Sequence, residues 1–318
     1  MKKYLITGAS GFVAQHFLNL LEVKQKDVIV LGVDVNKPEV LVTYKFVNYQ
    51  FKQLNLLDKD AVHDLLLNFE PNYILHLASY SSVAYSWKNP VEAFANNSTI
   101  FLNLVDEVRI LNLKSRILSV GSSEEYGNIT KEDLPVTELV EPKPNSPYAV
   151  ARLSQEMMSK IYTNYYNVDI VMTRSFNHIG PGQKDIFVIS SFAKKLTDIK
   201  KQVVKADKIV VGNIALVRDF VDVRDVVKAY LLLFEKGVKG QVYNICSGIG
   251  NSLESILTKM IKSLNLSIEI EIDNDLIRPN DIQKMIGSNN KLANETGWSV
   301  EYDLDRSIKD VIEYWQNK

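Results

Sequence analysis

Short apolar runs of strand character alternate with longer stretches whose apolar positions recur every third or fourth residue, and the alternation persists through the first half of the chain. Strands are expected at 3–7, 28–33, 51–54, 73–77, 116–120 and 170–174, each followed by a stretch able to form a crossover helix. Such alternation predicts an α/β fold built on a doubly wound parallel sheet of the Rossmann type. The helical stretches 91–111 and 147–165 are long and apolar on more than one face. Part of that surface is left over for a second subunit, so a homodimer is expected. Beyond about residue 175 the elements shorten. The break divides the chain into a main unit of 1–174 plus about 212–247 and a smaller C-terminal α/β lobe of about 175–211 plus 248–318.

With 46% hydrophobic and 24% charged residues, the 318-residue chain can bury one or two cores and is unlike a disordered protein. A formal net charge of −1 with intermixed signs leaves no basic face for nucleic acid and no polybasic anchor for a membrane. An anionic ligand therefore has to be held by a local site. Cys246 is the single cysteine, which excludes an internal disulfide. The first residues run into a strand without a long apolar leader, and a cytoplasmic location is expected.

The first candidate site is Thr7-Gly8-Ala9-Ser10-Gly11-Phe12-Val13-Ala14, where the first strand gives way to the first helix. Gly8 allows a tight turn and Gly11 lets the backbone approach a pyrophosphate, while Ser10, Phe12 and Val13 bring the free N–H groups and positive dipole of a helix start. Ala14 stands where a third glycine is usual. Two glycines also suit an ordinary turn, but strand, loop and helix all fall where a dinucleotide fingerprint requires them. The second strand ends in Asp34, which either accepts adenosine ribose hydroxyls or merely starts a turn. In the first role it repels a 2′-phosphate and favours NAD(H), with NADP(H) kept possible by nearby Lys37. After the third strand, Asn55 and Leu56 lie where an adenine edge would be held, and Asp58 reads as a helix N-cap.

The stretch His76-Leu77-Ala78-Ser79-Tyr80-Ser81-Ser82-Val83 opens a hydroxyl-rich loop on the ligand side of the sheet. Leu77 and Ala78 leave room for a nicotinamide ring. Ser81, Ser82 and Ser86 either bond sugar hydroxyls or are simply solvated, and His76 reads as a packed core histidine. The fifth strand delivers Ser122, and the following helix places Tyr148 and Arg152 one turn apart on one face. A free phenol ionises only near about pH 10 and needs help to move protons at neutrality. A fixed cation about 4 Å away supplies at most about 4 kcal/mol at an effective dielectric near 20. Ser122 polarising a carbonyl, Tyr148 passing the proton and Arg152 tuning it would form a relay. The alternative is a surface Tyr–Arg stack.

These residues resemble the extended short-chain dehydrogenase/reductase superfamily, through the glycine loop, the serine strand and the tyrosine helix. Within it, Gly121-Ser122-Ser123-Glu124-Glu125-Tyr126-Gly127, Arg174-Ser175-Phe176-Asn177-His178-Ile179-Gly180-Pro181-Gly182-Gln183, Arg218-Asp219-Phe220-Val221-Asp222-Val223-Arg224-Asp225, Tyr243-Asn244-Ile245-Cys246-Ser247-Gly248 and Arg278-Pro279-Asn280-Asp281 are similar to the GDP-4-keto-6-deoxy-D-mannose reductases, with the GDP-mannose 4,6-dehydratases next. The resemblance spans essentially the whole chain. It implies that the smaller lobe grips a GDP-linked sugar. Asn177, Arg218 and Arg278 would face the diphosphate, Asp281 a ribose hydroxyl, and Phe187 and Val188 the base. Each arginine also suits an interface salt bridge, and Asp219, Asp222 and Asp225 read as residues that cap and orient the next helix.

One departure stands out. The family places lysine where this chain has Arg152, a bulkier planar cation that does not lose its proton at ordinary pH. The resemblance implies reduction, or the reverse oxidation, at C4 of a GDP-4-keto-6-deoxy-hexose with a nicotinamide cofactor. Two alternatives stand beside it. One is a 4,6-dehydratase with tightly bound NAD(P), in which Glu124 is the base. The other is a catalytically impaired nucleotide-sugar binder, motivated by Arg152.

Overall fold

The computed structural model describes residues 1–38, 42–277 and 282–318, so Arg278 and Asp281 lie outside the described residues. Its strands are β1 (Lys2–Thr7), β2 (Val28–Asp34), β3 (Val47–Gln53), β4 (Tyr73–His76), β5 (Arg116–Ser122), β6 (Asp169–Ser175), β7 (Asn177–Ile179), β8 (Lys208–Val211), β9 (Val217–Asp222), β10 (Val242–Ile245), β11 (Gly250–Ser252), β12 (Glu269–Ile272) and β13 (Lys284–Met285). The α-helices are α1 (Phe12–Lys24), α2 (Lys59–Phe69), α3 (Val83–Lys88), α4 (Pro90–Ile110), α5 (Pro147–Tyr166), α6 (Val188–Lys200), α7 (Val223–Lys236), α8 (Leu253–Ser263), α9 (Asn290–Thr296) and α10 (Leu304–Asn317).

Seven parallel strands form the main sheet in the order β3-β2-β1-β4-β5-β6-β10. The fold is therefore the expected doubly wound α/β architecture. Side chains along a strand point alternately to the two faces. On β1 this sends Tyr4 and Ile6 into a core with Phe17, Leu21 and Tyr230, and sends Leu5 into a second core with Ile74, Phe101, Leu104 and Ile117. Burial on both faces is why the central strands read as unbroken apolar runs. β3 is an edge strand with mixed burial, and its pairing with β2 begins at Val47, earlier than its apolar stretch suggests. β10, only four residues long, adds a seventh strand that periodicity alone did not single out.

The order of strands reverses between β1 and β4, leaving a crevice at their carboxyl ends. A smaller sheet joins β11, β9 and β13, with β7 paired to β9. A third core around Ile179, Phe192, Leu196, Ile209, Leu257 and Ile312 lies among α6, α8 and α10, elements that pack on one another. Leu292 and Trp298, from the last part of the chain, belong instead to the core that holds Tyr4 and Phe17. On the outside, Val91, Phe94 and Ile110 of α4 and Val150, Met157, Ile161 and Tyr165 of α5 are exposed. Among the described residues no helix is long and apolar enough to cross a membrane.

Candidate active site

β1 hands the chain to α1 through a turn in which Gly8 has φ +70°. A Cβ on Gly8 would lie 2.8 Å from the Ala78 nitrogen, so the glycine is required by both conformation and space. Gly11 is the N-cap of α1 and supplies no side-chain oxygen to it, and the first turn carries no acidic residue. The helix start thus keeps its N–H groups and positive end available to an anion. Thr7 ties this turn to the neighbouring strand: its Oγ1 accepts the amides of Leu77 and Ala78 at 3.2 Å and lies 2.9 Å from His76 Nδ1. His76 is fully buried beside Phe101, as a core residue. Burial, with the Arg152 guanidinium adding to it, pushes its pKa down to about 3.

Asp34 ends β2 beside the glycine turn. Its Oδ2 accepts the Ser10 amide at 3.1 Å and its Oδ1 the Asn36 amide at 3.0 Å. A carboxylate has about four lone-pair positions, so both oxygens can still take ligand hydroxyls. Exposed Asn55 uses its own side-chain oxygen to accept the Leu57 amide at 3.0 Å, and Leu56 is buried beneath it. Asp58 caps α2 through the Ala61 amide. Phe12 and Val13 are half-buried against the first core, and Leu77 and Ala78 are half-buried at the end of β4. These residues fit a dinucleotide: a glycine cradle that a Cβ would fill, an open helix start above it and an acidic residue at the adjacent strand end.

α5 supplies the other wall. Ser146 caps it and Pro147 occupies its first turn, which fixes where Tyr148 emerges. Arg152 lies one turn on, is 4% exposed, and donates from Nε to Tyr148 Oη at 3.2 Å. The guanidinium also donates from Nη1 to the Val120 carbonyl and to Gln155 Oε1, both at 2.9 Å, and from Nη2 to Ser79 Oγ. Arg152 therefore joins the end of β4, the end of β5 and the tyrosine. A surface stack is excluded, because both side chains are buried. Ser79, Gln155 and the Val120 carbonyl were not singled out from sequence. The spacing from Arg152 to Gln155, three residues along one helix face, was the available signal.

Ser122 ends β5, and its Oγ accepts the Glu124 amide at 3.2 Å while its own amide donates to Glu125 Oε1 at 2.7 Å. This capping box begins a 3₁₀ turn, Ser123–Tyr126, which packs on α5 and on β6. Glu124 is half-buried in the turn. Glu125 is fully buried, with Arg174 Nε 3.9 Å from its Oε2. Burial, reinforced by neighbouring Glu156, holds the Glu125 carboxyl well above the usual range. Burial works the same way on Glu156, but Arg174, bidentate to it at 2.8 and 2.9 Å, and Lys160 keep its pKa low.

The hydroxyl loop divides by role. Ser81 is exposed, Ser82 caps α3 by accepting the Tyr85 amide, and Ser86 is buried, bonding the Val83 carbonyl and accepting the Tyr148 amide at 3.2 Å. Ser86 thus supports the tyrosine helix, which corrects its reading as a sugar-bonding or solvated residue. In the smaller sheet, Asn177 begins β7, and half-buried Arg218 on β9 donates to the Val217 carbonyl at 3.1 Å. Phe187 is the N-cap of α6, followed by partly exposed Val188. Asp222 caps α7 as expected; Asp219 instead gathers the amides of Ser247, Gly248 and Gly287, and Asp225 those of Glu301 and Tyr302.

A family model described as GDP-mannose 4,6 dehydratase matches residues 5–311. The chain is 30% identical to the GDP-6-deoxy-D-mannose reductase of Pseudomonas aeruginosa, across 100% of this chain and 98% of that one. It is 27% identical to the GDP-6-deoxy-D-talose 4-dehydrogenase of Aggregatibacter actinomycetemcomitans, across 98% and 96%. Among solved structures it is similar to RMD from Pseudomonas aeruginosa complexed with NADPH, with TM-score 0.87 and 29% identity over 100% of this chain and 99% of that one.

Proposed function

Because this chain belongs to the GDP-mannose 4,6 dehydratase family, we propose that it reduces, or in reverse oxidises, C4 of a GDP-4-keto-6-deoxy-hexose with a nicotinamide cofactor. The observation that carries the reading is the buried Arg152-to-Tyr148 hydrogen bond at the carboxyl ends of β4 and β5, beside the glycine cradle. When bound, NAD(P)H would supply the hydride for reduction of the C4 ketone. Ser122 Oγ donates a hydrogen bond to the ketone oxygen, Tyr148 Oη gives it a proton, and Arg152 Nε–H holds Tyr148 Oη as the proton leaves. In the reverse direction the same groups take the proton back. Gly8, Ser10, Gly11, Phe12 and Val13 would hold the pyrophosphate, Asp34, Asn55 and Leu56 the adenosine, and Leu77, Ala78, Tyr148 and Arg152 the nicotinamide end. Ser81, Ser82, Asn177, Phe187, Val188, Arg218, Arg278 and Asp281 would face the nucleotide sugar.

Asp34 favours NAD(H), while the solved relative holds NADPH. The exposed apolar positions of α4 and α5 suit a second copy of the chain, and the proposed working form is a cytoplasmic homodimer. A second reading, 4,6-dehydration, rests on Glu124, half-buried in the turn that Ser122 begins. The experiment presents GDP-4-keto-6-deoxy-mannose with NADH or NADPH, and GDP-mannose with no added cofactor. Stoichiometric consumption of reduced cofactor with the keto-sugar, lost by a factor of about 10² or more in Tyr148→Phe, is expected. A keto-sugar formed from GDP-mannose alone would favour dehydration. Tight cofactor binding without turnover on any of these would favour a binder.

A further inference from the structure

Arginine at position 152 does not stand alone. Behind it, Gln155 is 3% exposed and its amide is fixed from both ends. Oε1 accepts from Arg152 Nη1 at 2.9 Å, while Nε2 donates to Ser119 Oγ at 2.9 Å and to the Val120 carbonyl at 3.3 Å. A guanidinium can only donate, so the amide oxygen must face it and the amide nitrogen must face the strand. Ser159 Oγ completes the group, 3.2 Å from Ser119 Oγ and 2.8 Å from the Gln155 carbonyl. Ser119 and Ser159 are both buried. The acceptors around Arg152 therefore surround three separate nitrogens: Tyr148 Oη at Nε, Val120 O and Gln155 Oε1 at Nη1, and Ser79 Oγ at Nη2. A lysine ammonium, one nitrogen on a flexible stem, cannot serve acceptors spread in this way, and the Gln155 oxygen would be left buried without a donor.

We propose that Gln155 is the positioning residue that commits this site to arginine: backed by Ser119 and Ser159, it holds Nη1 so that Nε–H aims at the Tyr148 oxygen. The inference rests on the proposed oxidoreductase function for its kinetic consequence, but not for its geometry. Gln155 bonds Arg152, Ser119 and the Val120 carbonyl, and its influence on the tyrosine runs through Arg152. Restoring the family's lysine in this chain is then a loss, and it becomes less of one when Gln155 is also made apolar.

The test compares wild type, Gln155→Met, Arg152→Lys and the double variant. Protein labelled with ¹⁵N-arginine reports the Arg152 Nε–H resonance, assigned by its disappearance in Arg152→Lys. In Gln155→Met this resonance is expected to move and to exchange faster with water, and kcat to fall about tenfold while KM changes little. Arg152→Lys is expected to lower kcat, with the double variant losing less than the product of the two single losses. An unmoved resonance and unchanged kcat in Gln155→Met, or a gain of kcat in Arg152→Lys, would overturn the proposal. Should the wild type turn over no keto-sugar, the function fails separately, and the resonance alone decides whether Gln155 holds Arg152.

Discussion

At the scale of single residues, the proposed function gives Asp34 the discrimination between cofactors. Its two oxygens are anchored by the Ser10 and Asn36 amides, and in the proposed cofactor site a carboxylate so held would repel a 2′-phosphate. Asp34→Ala is expected to improve kcat/KM with NADPH relative to NADH by about tenfold or more, measured with both cofactors on one preparation. Glu125 presents the opposite situation, a carboxyl whose pKa burial and Glu156 raise, favouring its neutral form, while its Oε1 accepts the Ser122 amide. A neutral amide of the same shape serves there, so Glu125→Gln should keep near-wild-type turnover and melting temperature. Glu125→Leu, which leaves the Ser122 amide unpaired, should lose about 1–3 kcal/mol in denaturant unfolding. The tyrosine and arginine were legible in the sequence because one helical turn places them together whatever the tertiary structure does. Their distant partners were not. Gln155 lies one turn from Arg152 on the same helix, but the Val120 carbonyl and Ser119 come beside the pair only when β5 and α5 pack.

At the scale of elements, the central strands were visible as apolar runs because both faces are covered. β3 was misjudged at its start because an edge strand has only part of that signal, and β10 because four residues carry little pattern. The helix stretch 147–165 was legible almost to its ends: α5 runs Pro147–Tyr166, begun by the Ser146 cap and closed by Asn167 in the left-handed region. Met157 is 57% exposed and Tyr165 81% on this helix, and their apolar surface has no cover among the described residues. Met157→Glu should therefore halve the mass seen by light scattering while leaving the circular dichroism spectrum unchanged. A wild-type protein that scatters as a single chain would remove the argument for that face.

At the scale of the whole molecule, acid stability reflects histidines that the fold keeps neutral. Burial lowers His76 to about 3 and His178 to about 4. The unfolded chain protonates such groups near about pH 6.5. Between these values the unfolded state binds more protons than the folded one, so stability falls as pH falls, by up to about 1.4 kcal/mol per pH unit for each histidine. Calorimetric melting from about pH 7 down to about pH 4.5 should show a steep decline that becomes shallower in His76→Gln, whose side chain can still bond Thr7 without titrating. An equal slope in both proteins would count against His76 as a source.

Trp298 has a consequence for how the chain is made. Its indole is packed in the core of the parallel sheet and donates to the Asp225 carbonyl at 2.9 Å, while Asp225 Oδ2 takes the Glu301 and Tyr302 amides. The half built on the parallel sheet thus borrows a wall from residues synthesised after its own strands. During synthesis that core cannot close until Leu292 and Trp298 have left the ribosome.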